Sequence, residues 1–377
     1  MQYSQGTSKD STMFQPVYLE TLTLTAFRNH ALQKFALSPA MVVLWGENGV
    51  GKTNVLEAVS LLSAGRGLRY AKMTDFPHNH TPQPWAITAD VCHEDYTVRI
   101  GTGNNPDDLS ATKRIVRLDG ETQASQTALE DLVPMVWLTP KMDRLFLEGS
   151  TERRKFLDRL VYSFYPEHLQ SLKRYEHALK ERQRLLYQGI QDPHWLNSLE
   201  QQMSTHGVAI TASRLAVVEM LNSYCAQRDS SFPIARLSCV GALETGLSTK
   251  PAVAVEEEFA ALLKRTRFAD AETIGAHKSD LILHHVGKNT EVKHCSTGEQ
   301  KAVLIAVILS CATALAARKN KIPLVLLDEI AAHLDVKRRD ALFAELLALR
   351  CQAWLTGTEQ NHFESLIAHG NCQDFGL

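Results

Sequence analysis

At 377 residues with 44% hydrophobic content, the chain can hold two domains, or one large domain with an insertion. A formal net charge of −2 excludes a uniformly basic nucleic-acid coat, so any nucleic-acid contact must come from a local patch. Seven cysteines, an odd number with no C-x-x-C pair, supply neither a disulfide framework nor zinc-ligand spacing, and they fit a reducing cytoplasm.

The first residues, MQYSQGTSKDST, lack the apolar core of a secretory signal, and residues 1–15 read as a polar, disordered tail. Residues 17–27 alternate apolar and polar positions like a strand, and residues 85–100 and 113–118 do so less clearly, which predicts an antiparallel sheet beside a parallel core. Between them, the apolar run Met41–Trp45 leads into Gly46-Glu47-Asn48-Gly49-Val50-Gly51-Lys52-Thr53 and then into a helical pattern over 54–62. This is the phosphate loop G-x-x-x-x-G-K-[ST] in its strand–loop–helix setting, although four fixed positions can also coincide by chance. Its glycines let backbone N–H groups turn onto phosphate oxygens at a helix N-terminus; Lys52 reaches the β- and γ-phosphates of ATP, and the Thr53 hydroxyl ligates Mg²⁺.

From Arg153 to about Arg228 the pattern is helical. Tyr165, Leu169, Leu172, Leu179 and Leu186 keep a heptad register, as do Leu196, Leu199, Met203, Ile210 and Val217 after Pro193, which predicts a hairpin a few turns long. Residues 151–190 carry nine Lys or Arg against five acids. Arg66, Arg69 and Lys72 form a second basic cluster, and Lys337, Arg338 and Arg339 a third. No basic stretch interleaved with aromatics appears, so any nucleic-acid contact is expected to be to phosphates and without sequence preference.

Ser296-Thr297-Gly298-Glu299-Gln300 opens a helix running to about Ala317. Ser296 and Glu299 make a capping box, while the hydroxyl and the glycine also suit a second phosphate-binding element. The apolar stretch over 302–317 is shorter than a membrane span and reads as a buried helix. Residues 324–329 are four aliphatics ending in Asp328 and Glu329, as a buried parallel strand delivering charge at its carboxyl end. Beside a phosphate loop, Asp328 takes a Mg²⁺ role and Glu329 is placed to polarise the attacking water.

The segment from Ser296 resembles the signature of ABC-type ATPases, which closes over a γ-phosphate held by another subunit; the resemblance implies an ATP-dependent homodimer. Residues 46–76, together with Leu24 to Asn29, Leu138-Thr139-Pro140 through Asp158, Ser296 to Ala302, Leu327 to Asp335 and Gln352 to Thr358, make the chain similar to the RecF family of bacterial DNA repair and replication-restart proteins. It departs at Gly275-Ala276-His277-Lys278, where the family pattern is Gly-Pro-His-Arg.

The resemblance implies an α/β, ABC-type ATPase head with a mixed sheet, formed by residues 16–150 and 268–377, and an inserted, mainly helical lobe II at 151–267. It adds Ser296, Gly298, Gln300 and Asp335 to the nucleotide-binding set, with Lys52 and Glu329 catalytic and Thr53 and Asp328 on Mg²⁺. It further implies weak, DNA-stimulated ATP hydrolysis, a clamp on single-stranded or gapped DNA supporting recombinase loading and the SOS response, and RecR- and RecO-type partners, with no membrane. About 250 residues separate Gly46 from Ser296, far more than in the alternative, a transporter-type ABC subunit. Such a subunit also usually carries a switch histidine where this chain has Thr356-Gly357-Thr358. A non-enzymatic reading, in which ATP serves assembly on DNA, differs in role and not in fold.

Overall fold

The computed structural model describes residues 14–80, 83–105, 113–129, 131–190, 192–228, 230–267, 274–330, 334–368, 370 and 372–377. Almost all of the expected tail, and residues 268–273 and 331–333 of the expected head, lie outside the described residues.

In chain order, β1 (Gln15–Pro16), β2 (Tyr18–Phe27), β3 (His30–Ala36) and β4 (Met41–Trp45) precede α1 (Lys52–Ser60). Then come β5 (Ala86–Cys92), β6 (Thr97–Gly103), β7 (Ile115–Leu118), β8 (Glu121–Thr122) and β9 (Met135–Leu138). Helices α2 (Ser150–Phe164), α3 (Glu167–Tyr187) and α4 (Pro193–Gln227) follow, then β10 (Ala235–Val240), α5 (Ala242–Thr249), α6 (Ala252–Arg265), β11 (Asp280–His285) and β12 (Thr290–Glu291). The chain closes with α7 (Thr297–Lys319), β13 (Lys321–Ile322), β14 (Leu324–Leu327), α8 (Val336–Leu349), β15 (Ala353–Gly357), α9 (Glu364–Ala368) and β16 (Cys372–Gly376).

Parallel and antiparallel strands separate into different sheets. The five-stranded parallel sheet has the order β16-β4-β15-β14-β9 and the six-stranded antiparallel sheet β3-β2-β5-β6-β7-β8, while β10-β11-β12 form a smaller antiparallel sheet and β1-β13 a parallel pair. Strands of the parallel sheet are apolar throughout because both faces are covered. Val43, Leu138, Leu327 and Leu355 face a core built with α7, α2 and the second half of α4. Val42, Leu44, Leu326 and Trp354 face a second core shared with α1 and the antiparallel sheet. The α7 helix is long and apolar enough to cross a membrane, yet 89% of its most apolar window is buried inside the protein, as expected of a core helix.

A third core joins α3, the first half of α4, α5 and α6 through Tyr175, Leu185, Leu196, Met203 and Phe259. The second helix follows the expected register, but in α3 the buried residues are His168, Tyr175, Ala178, Arg182 and Leu185, while Leu172, Leu179 and Leu186 flank them. Buried charge shifts the seam: the Arg182 Nε donates to Glu200 Oε1 (3.0 Å), and Arg267 pairs with the same carboxylate. At 35 residues, α4 outruns a short hairpin because Val217, Val218 and Leu221 continue into the first core.

Candidate nucleotide site

The phosphate loop leaves β4 at Gly46 and enters α1 at Lys52. Gly51 stands at φ 109°, where a Cβ would come within 2.6 Å of Asn29 and His30 side-chain atoms, so both conformation and space call for glycine. The buried Lys52 Nζ donates to the Gly46 and Glu47 carbonyls at 2.6 and 2.8 Å, which places the ammonium inside the loop.

The turn between β2 and β3 braces the loop from outside. Asn29 Nδ2 donates to the Val50 carbonyl (2.9 Å), and the His30 ring nitrogen lies 3.3 Å from the Gly51 carbonyl. Arg28 is anchored in turn by two hydrogen bonds that its Nε and Nη2 donate to the fully buried Glu57 carboxylate of α1, at 2.8 Å each, and by one that Nη1 donates to the Asp75 carbonyl at 2.7 Å. Sequence reasoning did not assign Arg28, Asn29, His30 or Glu57 to the site. The available signals were an acid inside the apolar run Val55-Leu56-Glu57-Ala58-Val59 and a polar turn between two alternating strands.

Asp328 and Glu329 directly follow the carboxyl end of β14. The Thr53 hydroxyl donates to Asp328 Oδ1 at 3.0 Å and the Thr356 hydroxyl to the same oxygen at 2.8 Å. The Glu329 N–H donates back to Thr356 Oγ1 at 2.7 Å, and Glu329 sits at φ 50°, a left-handed conformation rare for a residue with a side chain. Thr356, fully buried on β15, therefore fixes both acids, a role sequence reasoning missed. Burial pushes the Asp328 carboxyl up, with the Thr356 and Thr53 hydroxyls opposing and the Glu329 charge adding to the rise. Two hard oxygens from different elements, one a carboxylate that a divalent cation would keep ionised, fit Mg²⁺.

Ser296 caps α7: its N–H donates to Glu299 Oε2 at 3.1 Å, and the capping box forms. Glu299 Oε1 accepts Lys288 Nζ from the turn before β12. The Lys288 ammonium and then the Ser296 N–H hold the Glu299 carboxyl down at about 2. Gln300 points inward, its Nε2 donating to the Cys295 carbonyl at 3.0 Å while its buried Oε1 has no hydrogen-bond partner among the described residues. Asp335 caps α8 by accepting the Arg338 N–H at 2.9 Å, and the Arg338 guanidinium reaches the Gly298 carbonyl at 3.2 Å. Thus the structure brings together Lys52, Thr53, Asp328 and Glu329. Among the described residues, no hydrogen bond or ion pair joins 296–300 to the phosphate loop.

Of the nine basic residues over 151–190, four are held against the fold. Arg153 pairs with Asp280 (2.8 Å), Arg154 donates to the Ser279 carbonyl (2.8 Å), Arg182 is in the Glu200 pair, and buried Arg159 lies against the Trp137 ring at 4.9 Å. Residues 275–278 form a packed corner. The Ala276 carbonyl accepts Arg214 Nη1 at 2.7 Å, and His277 Nδ1 bonds Tyr175 Oη at 2.7 Å.

The sequence matches the RecF/RecN/SMC N-terminal domain family over residues 18–369. It is 43% identical over 356 residues to the DNA replication and repair protein RecF of Mesorhizobium japonicum, covering 93% of this chain and 94% of that protein. Against RecF of Rhizobium rhizogenes it is 41% identical, covering 94% and 98%. The fold superposes on the recombination mediator protein RecF-ATPrS of the RecFOR pathway with a TM-score of 0.81 at 21% identity, covering 93% of this chain and 95% of the other. RecF-ATP gives 0.76 at the same identity, covering 92% and 95%. With strand–loop–helix, acid pair and capped α7 in place along one fold, the chain belongs to the RecF family of DNA replication and repair proteins, built on an SMC-type ATPase head.

Proposed function

We propose that the chain is a cytoplasmic, ATP-gated dimeric clamp on single-stranded or gapped DNA, acting in recombinational repair and replication restart. The observation that carries this reading is the meeting of Thr53 and Asp328 at 3.0 Å, with Glu329 fixed beside them by Thr356. Lys52 and the loop N–H groups Gly46 to Thr53 would bind the ATP phosphates, and Thr53 and Asp328 would hold Mg²⁺, whose charge offsets that of the phosphates. Glu329 would take a proton from the attacking water. Ser296 and Gly298 would meet the γ-phosphate of a second copy, with Asp335 at the same face; the inward Gln300 gives that position the least support.

Lobe II is proposed as residues 151–267; the separate core around Tyr175 and Phe259 supports it for α3, the first half of α4, α5 and α6, while α2, the second half of α4 and β10 pack into the first core. RecR- and RecO-type mediators are the proposed partners, and recombinase loading and the SOS response the proposed outcome, by kinship with RecF. Steady-state ATP turnover with and without gapped DNA tests the enzymatic part. Slow turnover that rises with DNA supports a switch, whereas fast turnover indifferent to DNA contradicts it.

A further inference from the structure

We propose that the far end of lobe II, where α3 gives way to α4, is a nucleic-acid contact that stacks on an unpaired base beside a phosphate backbone. The inference rests on the DNA-clamp reading and assigns it a place.

Lys173, His177, Lys180, Arg184 and Tyr187 follow one another at steps of four, three, four and three residues, and every one is exposed. Such spacing puts them in a single stripe, about 21 Å long at 1.5 Å per residue, opposite the face where Tyr175, Ala178 and Leu185 are buried. That length spans about six nucleotides of one duplex strand. Lys173 and Lys180 differ from Arg153, Arg154, Arg159 and Arg182 of the same segment, which serve internal contacts.

The stripe ends in aromatic surface. Tyr187 is 94% exposed and Trp195, in the first turn of α4, is 44% exposed. Pro193 and the Asp192 cap, which accepts the His194 and Trp195 N–H groups, fix that turn. The Arg184 guanidinium, held by Glu181 at 2.7 Å, lies 5.7 Å from the Trp195 ring centroid. Read linearly, the sequence shows no basic stretch interleaved with aromatics; helix periodicity and the α3–α4 turn assemble one. Cations that follow a backbone, together with aromatic faces that accept any base, are the chemistry of sequence-tolerant single-strand binding. Charge complementarity thus points to DNA at a gap in preference to a protein partner.

The test uses the full chain with ATP and Mg²⁺, and anisotropy of labelled gapped and intact duplexes of equal length across a salt series. Tyr187→Ala with Trp195→Ala should weaken gapped-DNA binding about tenfold or more and leave intact duplex unchanged. Lys173→Glu with Lys180→Glu should weaken both substrates and make the salt dependence shallower by about two. Because these side chains are exposed, circular dichroism should match the parent in each variant. If the aromatic variant keeps its preference for gapped DNA while the parent binds normally, the assignment is overturned, including the case where the tip serves a protein. If the parent binds neither substrate, the clamp reading falls as well.

Discussion

Removing the Glu57 carboxylate should unfold the brace behind the phosphate loop. In Glu57→Ala, Arg28 keeps only the Asp75 carbonyl and the Phe76 ring, 5.2 Å from its guanidinium carbon. Two charge-assisted bonds at 2.8 Å vanish from a fully buried acid. Breaking a buried pair by removing one partner costs about 3–5 kcal/mol, and the 12% exposure of the Arg28 side chain places this case near 3 kcal/mol. That is about two orders of magnitude in the folded-to-unfolded ratio. Replacing both residues, Arg28→Leu with Glu57→Leu, leaves no buried uncompensated charge, since Arg69, 3.7 Å from Glu57, is 42% exposed, and should recover most of the loss. Urea unfolding of the parent, the single variants and the double variant gives the coupling energy. A single-variant loss below about 1 kcal/mol, or a double variant as unstable as the sum of the singles, would refute the reasoning.

Lys52→Ala should weaken ATP binding at least about tenfold in calorimetry, since it removes the charge that donates within the loop; unchanged affinity would remove Lys52 from the site. Glu329→Gln should retain ATP and Mg²⁺ and slow turnover by about 10²–10⁴-fold, with the ATP-bound dimer accumulating; undiminished turnover would move the base elsewhere. Burial, then Lys278 and Arg154, push the His277 imidazole down to about 4. Because the unfolded chain takes up this proton first, its share of stability is complete above about pH 6.5 and declines as the pH falls toward 4. Between pH 7 and pH 5 the parent should therefore lose more stability than His277→Gln in chemical denaturation, and parallel losses would contradict this.

The ATPase head was readable because its signals are local. A phosphate loop, a four-residue apolar strand ending in acids and a capping box each lie within eight consecutive residues, and the backbone does most of their work. Residues that act across the fold left no such trace. Thr356 reaches Asp328 only because β15 lies beside β14, and Asn29 reaches Val50 only because the β2–β3 turn folds over the loop. Heptad reading failed in α3 for a different reason: Arg182 looks like a surface residue until Glu200 and the Leu263 carbonyl enclose it. Charge counting over 151–190 failed likewise, since sequence does not distinguish Arg159 under Trp137 from Lys180 in solvent.

The composite site across two copies is tested most directly by Ser296→Arg. Equilibrium ATP binding and ATP-dependent light scattering are measured on the same sample. Lys52, Thr53 and Asp328 are untouched, so ATP should bind as in the parent, while the arginine fills the space of the partner's γ-phosphate and the dimer should not form. If Ser296 only caps α7, the change costs about 1 kcal/mol of stability and a folded variant still dimerises with ATP, which would contradict the composite site and the clamp built on it.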